Sequence, residues 1–239
     1  MIKAVGVVVP AHNEQDLLPA CLVAVRHAAR QVSVPVHLVV VADACTDKTA
    51  DLASALGATV IESGAHNVGA ARQAGVSLVL RSARRLDPAE VWVATTDADS
   101  LVPRHWLTRQ LRYARRGWKG VVGTVTVADW AGHPHHVQRR YARGYRAWQG
   151  RHPHVHGANL GFTADAYLAA GGFRPLPTAE DHALVDDLRA ACIPLLRTAR
   201  CPVVTSARRR ARAPRGFAWL LRTLDVTDEA GRGPLEETA

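Results

Sequence analysis

Val91-Trp92-Val93-Ala94-Thr95-Thr96-Asp97-Ala98-Asp99-Ser100 is the stretch on which the reading of the fold turns. Its first half is a β-branched and aromatic run without polar alternation, as in a strand buried on both faces of a parallel sheet. Its second half leaves that strand on two carboxylates at i and i+2. The same kind of run occurs upstream. Val5–Val9 is a short strand stopped by Pro10, Val36–Ala42 is a second buried strand, and Thr59–Ile61 is a short third. Helical stretches lie between them. Glu14–Arg30 carries an apolar stripe at Leu17, Leu18, Cys21, Leu22 and Val25. A second helix, capped by Thr46, runs to Leu56 with Gly57 as its stop, and Asn67–Arg85 is the third. This alternation predicts an α/β fold: a Rossmann-like, mostly parallel central sheet flanked by helices.

The second half is less regular. Pro103 opens a helix reaching Arg116, and Gly120–Val127 reads as a strand. His133–Gly150 reads as a basic amphipathic helix, and Val155–Thr163 as a glycine-containing strand. A short helix, Ala164–Ala170, stops at Gly171-Gly172. Thr178–Ala191 is a helix, Pro202–Thr205 a last strand and Pro214–Leu224 a last short helix. No linker divides the chain, so residues 1–224 are expected to form one domain. Residues 225–239 are expected to be a flexible acidic tail.

The chain has 239 residues, a formal net charge of +9 and 48% apolar residues. That excludes a disordered polyelectrolyte, and no repeat suggests a solenoid. The charge is unevenly spread: 8 basic and 10 acidic residues in 1–100, 21 and 6 in 101–223, and 1 and 5 in 224–239. Such asymmetry points to a polyanionic partner, whether nucleic acid, an anionic membrane or phosphate groups. Cys21, Cys45, Cys192 and Cys201 form no CxxC pair and no zinc spacing. With no signal peptide and no run long enough to span a bilayer, a cytoplasmic location is expected.

Ligands of open α/β sheets sit beyond the carboxyl ends of the strands. The polar clusters there are His12-Asn13-Glu14, Asp43 to Asp47, and Thr96 to Ser100, and all three should reach one edge of the sheet. Asp97 and Asp99 could bind a divalent cation, Mg²⁺ or Mn²⁺, which prefer oxygen ligands shared with substrate phosphates. Alone, the pair would read as a polar turn.

These clusters, together with motifs further along the chain, resemble family 2 glycosyltransferases of the GT-A fold. The resemblance rests on Val8–Glu14, Val40–Thr49, Asn67–Gly75, Asp97-Ala98-Asp99, Gly157-Ala158-Asn159-Leu160-Gly161-Phe162 with Gly171-Gly172-Phe173, and Glu180-Asp181. It implies a nucleotide-binding half, residues 1–100, and a smaller acceptor-binding half, residues 101–224. Pro10, Ala11, Glu14, Asp43, Arg72 and Asp97 would bind the donor nucleotide. Asp99, with Asp97, would hold the metal, and Arg72 suits phosphate contacts. Asp181 would be the general base for an acceptor hydroxyl in an inverting displacement. Glu180 would hold the acceptor or a backbone group, and His156, Gly157, Ala158 and Asn159 would lie at the acceptor and sugar. Read without the resemblance, Arg72 is a solvated helix residue, and Glu180-Asp181 are acids favoured in a helix's first turn.

The implied enzyme is a metal-dependent, non-processive transferase. It would move a sugar from a UDP- or GDP-sugar to a small-molecule, glycan or lipid-phosphate acceptor. The Gln-x-x-Arg-Trp run of processive members is missing, and no His follows Pro202 to complete a metal site. Arg208, in Thr205-Ser206-Ala207-Arg208-Arg209-Arg210, is expected to close over the diphosphate instead. His152, His154 and His156 alternate and could bind zinc, or could be loop histidines. Arg139–Trp148 interleaves arginines with aromatics, as a nucleic-acid or membrane-interface surface does, or simply as a solvated face. With no nucleic-acid-binding module in the chain, a peripheral membrane contact is the expectation kept. The other functions considered are a retaining transferase, a sugar nucleotidyltransferase and a non-catalytic nucleotide-sugar or nucleic-acid binder.

Overall fold

The structure is a computed structural model, described for residues 1–127, 129–130, 132–145, 152–176, 178–208 and 217–226. Its strands are β1 (Ala4–Ala11), β2 (Val36–Asp43), β3 (Thr59–Ser63), β4 (Val91–Thr95), β5 (Ser100–Leu101), β6 (Gly120–Val127), β7 (Leu160–Thr163) and β8 (Leu195–Thr205). The helices are α1 (Leu18–Ala29), α2 (Thr49–Ala55), α3 (Val68–Ser82), α4 (Trp106–Ala114), α5 (His135–Gly144), α6 (Ala164–Ala169), α7 (Glu180–Ala190) and α8 (Phe217–Val226). One eight-stranded sheet joins them in the order β3-β2-β1-β4-β7-β6-β8-β5. β1 to β4 are mutually parallel. β7 runs against both β4 and β6, while β6 and β8 are parallel to each other and β5 opposes β8.

Strand periodicity divides the core into two layers. Val5, Val7 and Val9 point to one face, against Leu18, Cys21, Leu22 and Val25 of α1 and Trp106 and Leu107 of α4. Val8, Val39, Val41 and Val93 point to the other, against Ala71, Val76 and Val79 of α3 and Leu184 and Leu188 of α7. Leu22 is fully buried, so Leu22→Ala would cost about 2–5 kcal/mol. A smaller cluster joins Val137 and Tyr141 of α5 to Leu221 of α8, Val127 and Ala207.

Several expectations need correction. Pro10 does not stop the first strand, which continues to Ala11 beside Ala42. The Val8 carbonyl accepts from Thr96 N–H, so Pro10, two residues on, turns its missing N–H to the side where β4 has already ended. Thr46 does not cap the second helix. Asp47 Oδ1 accepts from Thr49 N–H there, and Thr46 bonds Asn13 Oδ1. Leu17 lies outside the buried stripe of α1. β8 begins at Leu195 rather than Pro202, because it pairs with β6 along most of its length. The two-residue β5 went unread. The basic helix is described only to Gly144, and the remainder of that expectation, 146–150, lies outside the described residues. So do Arg209, Arg210, Pro214 and 227–239. α8 reaches Val226, and Asp225, expected in the tail, pairs with His136.

Candidate functional site

The site lies along one rim of the sheet. The C-terminal ends of β1, β2, β3, β4, β6 and β8 meet there, and β7, being reversed, contributes its start. The three polar clusters do reach this rim and border a cavity of about 630 Å³. Among the described residues, four of the five non-glycine residues with positive φ cluster there too: Asn13, Ala44, His66 and Ala179, at φ 48–59°. This backbone is held in a sparsely populated conformation, a form of strain that concentrates at functional sites.

The first wall is built by β1 and β2. Both carboxylate oxygens of Asp43 accept from backbone amides, Oδ1 from His66 and Oδ2 from Asn67, which fixes the turn into α3. Asn67 then caps α3 by accepting from Ala70 N–H. His12 Nδ1 lies 2.7 Å from the Asp43 carbonyl oxygen, and the His12 and His66 rings are tilted at 5.8 Å. Both histidines line the cavity. His66 was not singled out in the sequence; its place directly before the helix cap Asn67 was the available signal.

Arg72 occupies the centre. It is 2% exposed, not the solvated helix residue of the plainer reading. Its Nη2 donates to Asp97 Oδ1 at 2.6 Å, its Nε to Glu180 Oε1 at 3.1 Å and its Nη1 to the Gly157 carbonyl at 3.2 Å. Burial works to lower the guanidinium, but Asp97, Glu180 and Asp181 outweigh it and hold it above the ordinary arginine value. Glu180, expected on an acceptor or backbone group, is paired with Arg72. Burial nonetheless raises its carboxyl.

The opposite corner is closed by β8. Ser100 pairs with Thr205, their hydroxyls 3.0 Å apart, and this brings Arg208 to the carboxylates. Arg208 Nη1 lies 2.6 Å from Glu14 Oε1, and Nη2 lies 2.6 Å from Asp99 Oδ2. Burial pushes the Asp99 carboxyl up to about 6. Arg208 opposes that shift, and Asp97 and Glu14 add to it.

Another wall enters just before the start of β7. Gly157–Asn159 form a 3₁₀ turn in which Asp181 Oδ2 accepts from Gly157 N–H at 2.7 Å. Asn159 is buried beneath it. It donates to the Thr124 and Cys201 carbonyls and accepts from Trp106 Nε1, so its role is to hold the turn in place. Pro10, Ala11, Glu14, Asp43, Arg72, Asp97, Asp99, His156, Gly157, Ala158, Glu180, Asp181 and Arg208 all border the cavity, but Asn159 does not. Val125, Val155, Phe217 and Leu220 add an apolar wall that sequence reading missed. His152, His154 and His156 stack with ring centroids 6.0 and 6.2 Å apart and interplanar angles of 8° and 21°. No group of three or more His, Cys, Asp or Glu suited to a metal occurs among the described residues, so the zinc alternative is not supported.

Among the described residues, six carboxylates border the cavity (Glu14, Asp43, Asp97, Asp99, Glu180 and Asp181) against two guanidiniums, Arg72 and Arg208. The arginine-rich segment contributes one arginine, Arg208, to that described lining. No three of these carboxylates come together as a metal group among the described residues, so a cation at Asp97 and Asp99 would need its remaining oxygen ligands from a bound diphosphate and water.

A sequence model of glycosyl transferase family 2 matches residues 6–170. The chain belongs to that family. Two curated relatives are undecaprenyl-phosphate 4-deoxy-4-formamido-L-arabinose transferases. That of Serratia proteamaculans is 34% identical over 128 residues, and that of Pectobacterium carotovorum 32% over 124. Each match covers 52% of this chain and 37% of the relative, so the chain spans well under half the length of these family members. Among solved structures, TarS 1–349 of S. aureus in complex with UDP-GlcNAc matches with a TM-score of 0.62 at 14% identity, over 89% of this chain and 60% of that one. The mannosyltransferase PcManGT of Pyrobaculum calidifontis, in complex with GDP-Man and Mn²⁺, gives 0.62 at 19% identity, over 91% and 68%. Glucosyl-3-phosphoglycerate synthase of Mycobacterium tuberculosis, in complex with Mn²⁺ and UDP, gives 0.56 at 17% identity, over 93% and 77%. The family 2 chain thus has the GT-A fold: an α/β sheet, mostly parallel and flanked by helices. No helix among the described residues is long and apolar enough to cross a membrane.

Proposed function

We propose that this family 2 chain is a non-processive, inverting glycosyltransferase. It takes a UDP- or GDP-sugar as donor and passes the sugar to an acceptor hydroxyl. The observation that carries this reading is the excess of carboxylates in the described lining of a cavity at the sheet rim. A diphosphate brought there meets repulsion unless a cation accompanies it, and the neighbours with Mn²⁺ and nucleotide share this fold. Asp99 and Asp97 would hold that divalent cation, Mn²⁺ or Mg²⁺. When bound, it would neutralise charge on the departing diphosphate. Arg208 would leave Asp99 and Glu14 to contact the diphosphate. Pro10, Ala11, Glu14, Asp43 and Arg72 would border or position the nucleotide.

Asp181 would serve as base. Its Oδ2 accepts from Gly157 and its Oδ1 from His182 N–H, which orients the carboxylate at the cavity wall. The acceptor oxygen attacks the anomeric carbon, the bond from that carbon to the diphosphate breaks, and the acceptor proton passes to Asp181. Residues 1–224 would work as one unit, since both halves contribute to one cavity.

A second reading follows from the relatives' names, which include a lipid phosphate. A phosphate oxygen is already deprotonated at neutral pH and needs no base, and peripheral contact with a membrane would follow. The acidic balance of the described lining favours the hydroxyl. Thermal shift with UDP, GDP and TDP, with and without Mn²⁺, tests donor use. No shift with any of them would overturn the transferase reading.

A further inference from the structure

We propose that Tyr145 is a positioning residue that fixes His156 as its Nδ1–H tautomer, so that the ring offers a neutral hydrogen-bond donor to the acceptor side of the cavity. The place of His156 at an acceptor rests on the transferase reading above; the tautomer does not.

The geometry is local and closed. Val125 N–H donates to the Tyr145 phenol oxygen at 2.8 Å, and that oxygen lies 3.1 Å from His156 Nε2. The Val125 amide opposes the burial that pushes the phenol up to about 12. With one lone pair taken by that amide the phenol keeps its own proton, and His156 Nε2 lies within hydrogen-bond reach of it. Nε2 then carries no hydrogen, and the single proton of a neutral imidazole sits on Nδ1.

The phenol cannot easily turn away. Its ring is stacked between Tyr141, at 4.9 Å and 23°, and His154, at 4.1 Å and 5°. The imidazole is kept neutral as well. Burial lowers it to about 3, helped by His154, His152 and His182. His156 borders the cavity beside Gly157, whose amide holds Asp181 and whose carbonyl holds Arg72. His156 directly precedes Gly157, whose amide donates to Asp181 Oδ2, and both side chains border the cavity, so one donor and one acceptor serve the same stretch of its wall. A hydroxyl can satisfy both, since its oxygen accepts from the imidazole while its proton goes to the carboxylate.

The test is ¹⁵N NMR of the histidine rings in the full chain at neutral pH, with the His156 signals assigned by their loss in His156→Asn. The expected pattern is a pyrrole-type Nδ1 and a pyridine-type Nε2. Tyr145→Phe keeps the ring stack and removes only the hydroxyl, so His156 should move toward the Nε2–H form. A wild-type ring protonated on Nε2, or an unchanged tautomer in Tyr145→Phe, would overturn the proposal. The measurement needs no substrate. A chain that binds neither UDP nor GDP in the thermal-shift assay would remove the transferase reading and leave the NMR result standing.

Discussion

Arg72 Nε lies 3.1 Å from Glu180 Oε1, which ties α3 to the first turn of α7 at a point where both side chains are almost wholly buried. The same guanidinium holds Asp97 at 2.6 Å. Removing one partner of a buried pair leaves uncompensated charge, a loss of about 3–5 kcal/mol. Arg72→Ala should therefore lower the urea midpoint strongly and weaken nucleotide binding as well. Arg72→Lys, which keeps the charge but loses the planar fork, should fall between. Stability equal to wild type in the alanine variant would show that the ion pairs contribute nothing.

A divalent cation held by Asp99 would have to displace Arg208 from Asp99 Oδ2. Asp99→Ala should abolish any extra thermal stabilisation that Mn²⁺ gives in the presence of UDP or GDP, because ligand-linked stability disappears with the site. Arg208→Ala should raise the donor KM by removing a diphosphate contact. An unchanged KM would argue that Arg208 only neutralises the carboxylates.

Asp181→Asn should leave nucleotide binding intact. For a hydroxyl acceptor, transfer should drop about 10²–10⁴-fold, the usual contribution of a positioned base. A small loss would favour the phosphate acceptor, whose oxygen has no proton to surrender.

Gly157 has no room for a methyl group, since a Cβ there would run into the Arg72 guanidinium. Gly157→Ala should cost about 1–3 kcal/mol through overpacking. It should also disturb the Arg72–Asp97 pair, so that Tm and nucleotide affinity fall together.

His156 gives the stability of the fold a predictable acid dependence. Its folded value, about 3, lies below its ordinary value of 6.5. Between these values the unfolded chain binds the proton and the folded one does not. Stability from this residue is therefore complete above pH 6.5 and is lost as the pH falls toward 3. Urea melts of wild type and His156→Asn at neutral and mildly acidic pH should show a shallower acid decline in the variant. Parallel curves would refute this assignment.

The first hundred residues are largely legible in the sequence. β4 was read to its residue limits, and Val5–Val9 and Val36–Ala42 nearly so, because strands buried on both faces are continuous apolar runs. Asp97, Asp99 and Asp43 could be placed at the rim from strand ends alone. What escaped was long-range pairing. Arg208 meets Glu14 across 194 positions, and Arg72 meets Glu180 across 108. No local pattern encodes either meeting. The extra length of β8 also depended on its partner, β6, and β5 is too short to leave a periodic trace. His66, Val125 and Val155 reach the cavity only because the register brings them there.

The reversed strand β7 has a consequence for how such a chain can change. β6 ends at the rim and β7 begins there, so the intervening segment, residues 128–159, departs from and returns to the same side of the sheet. Its first end is pinned where Val127 pairs with Thr205 of β8 and its last where Leu160 lies between Thr95 of β4 and Val122 of β6, and lengthening a loop with fixed ends adds closure entropy only slowly. The segment can therefore be lengthened upstream of Gly157 while the parallel strands keep their register, provided Gly157 and Asn159 keep their bonds to Arg72, Thr124 and Cys201. Insertions there are the economical way to reshape the His156 side of the cavity without moving Asp43, Asp97 or Asp99.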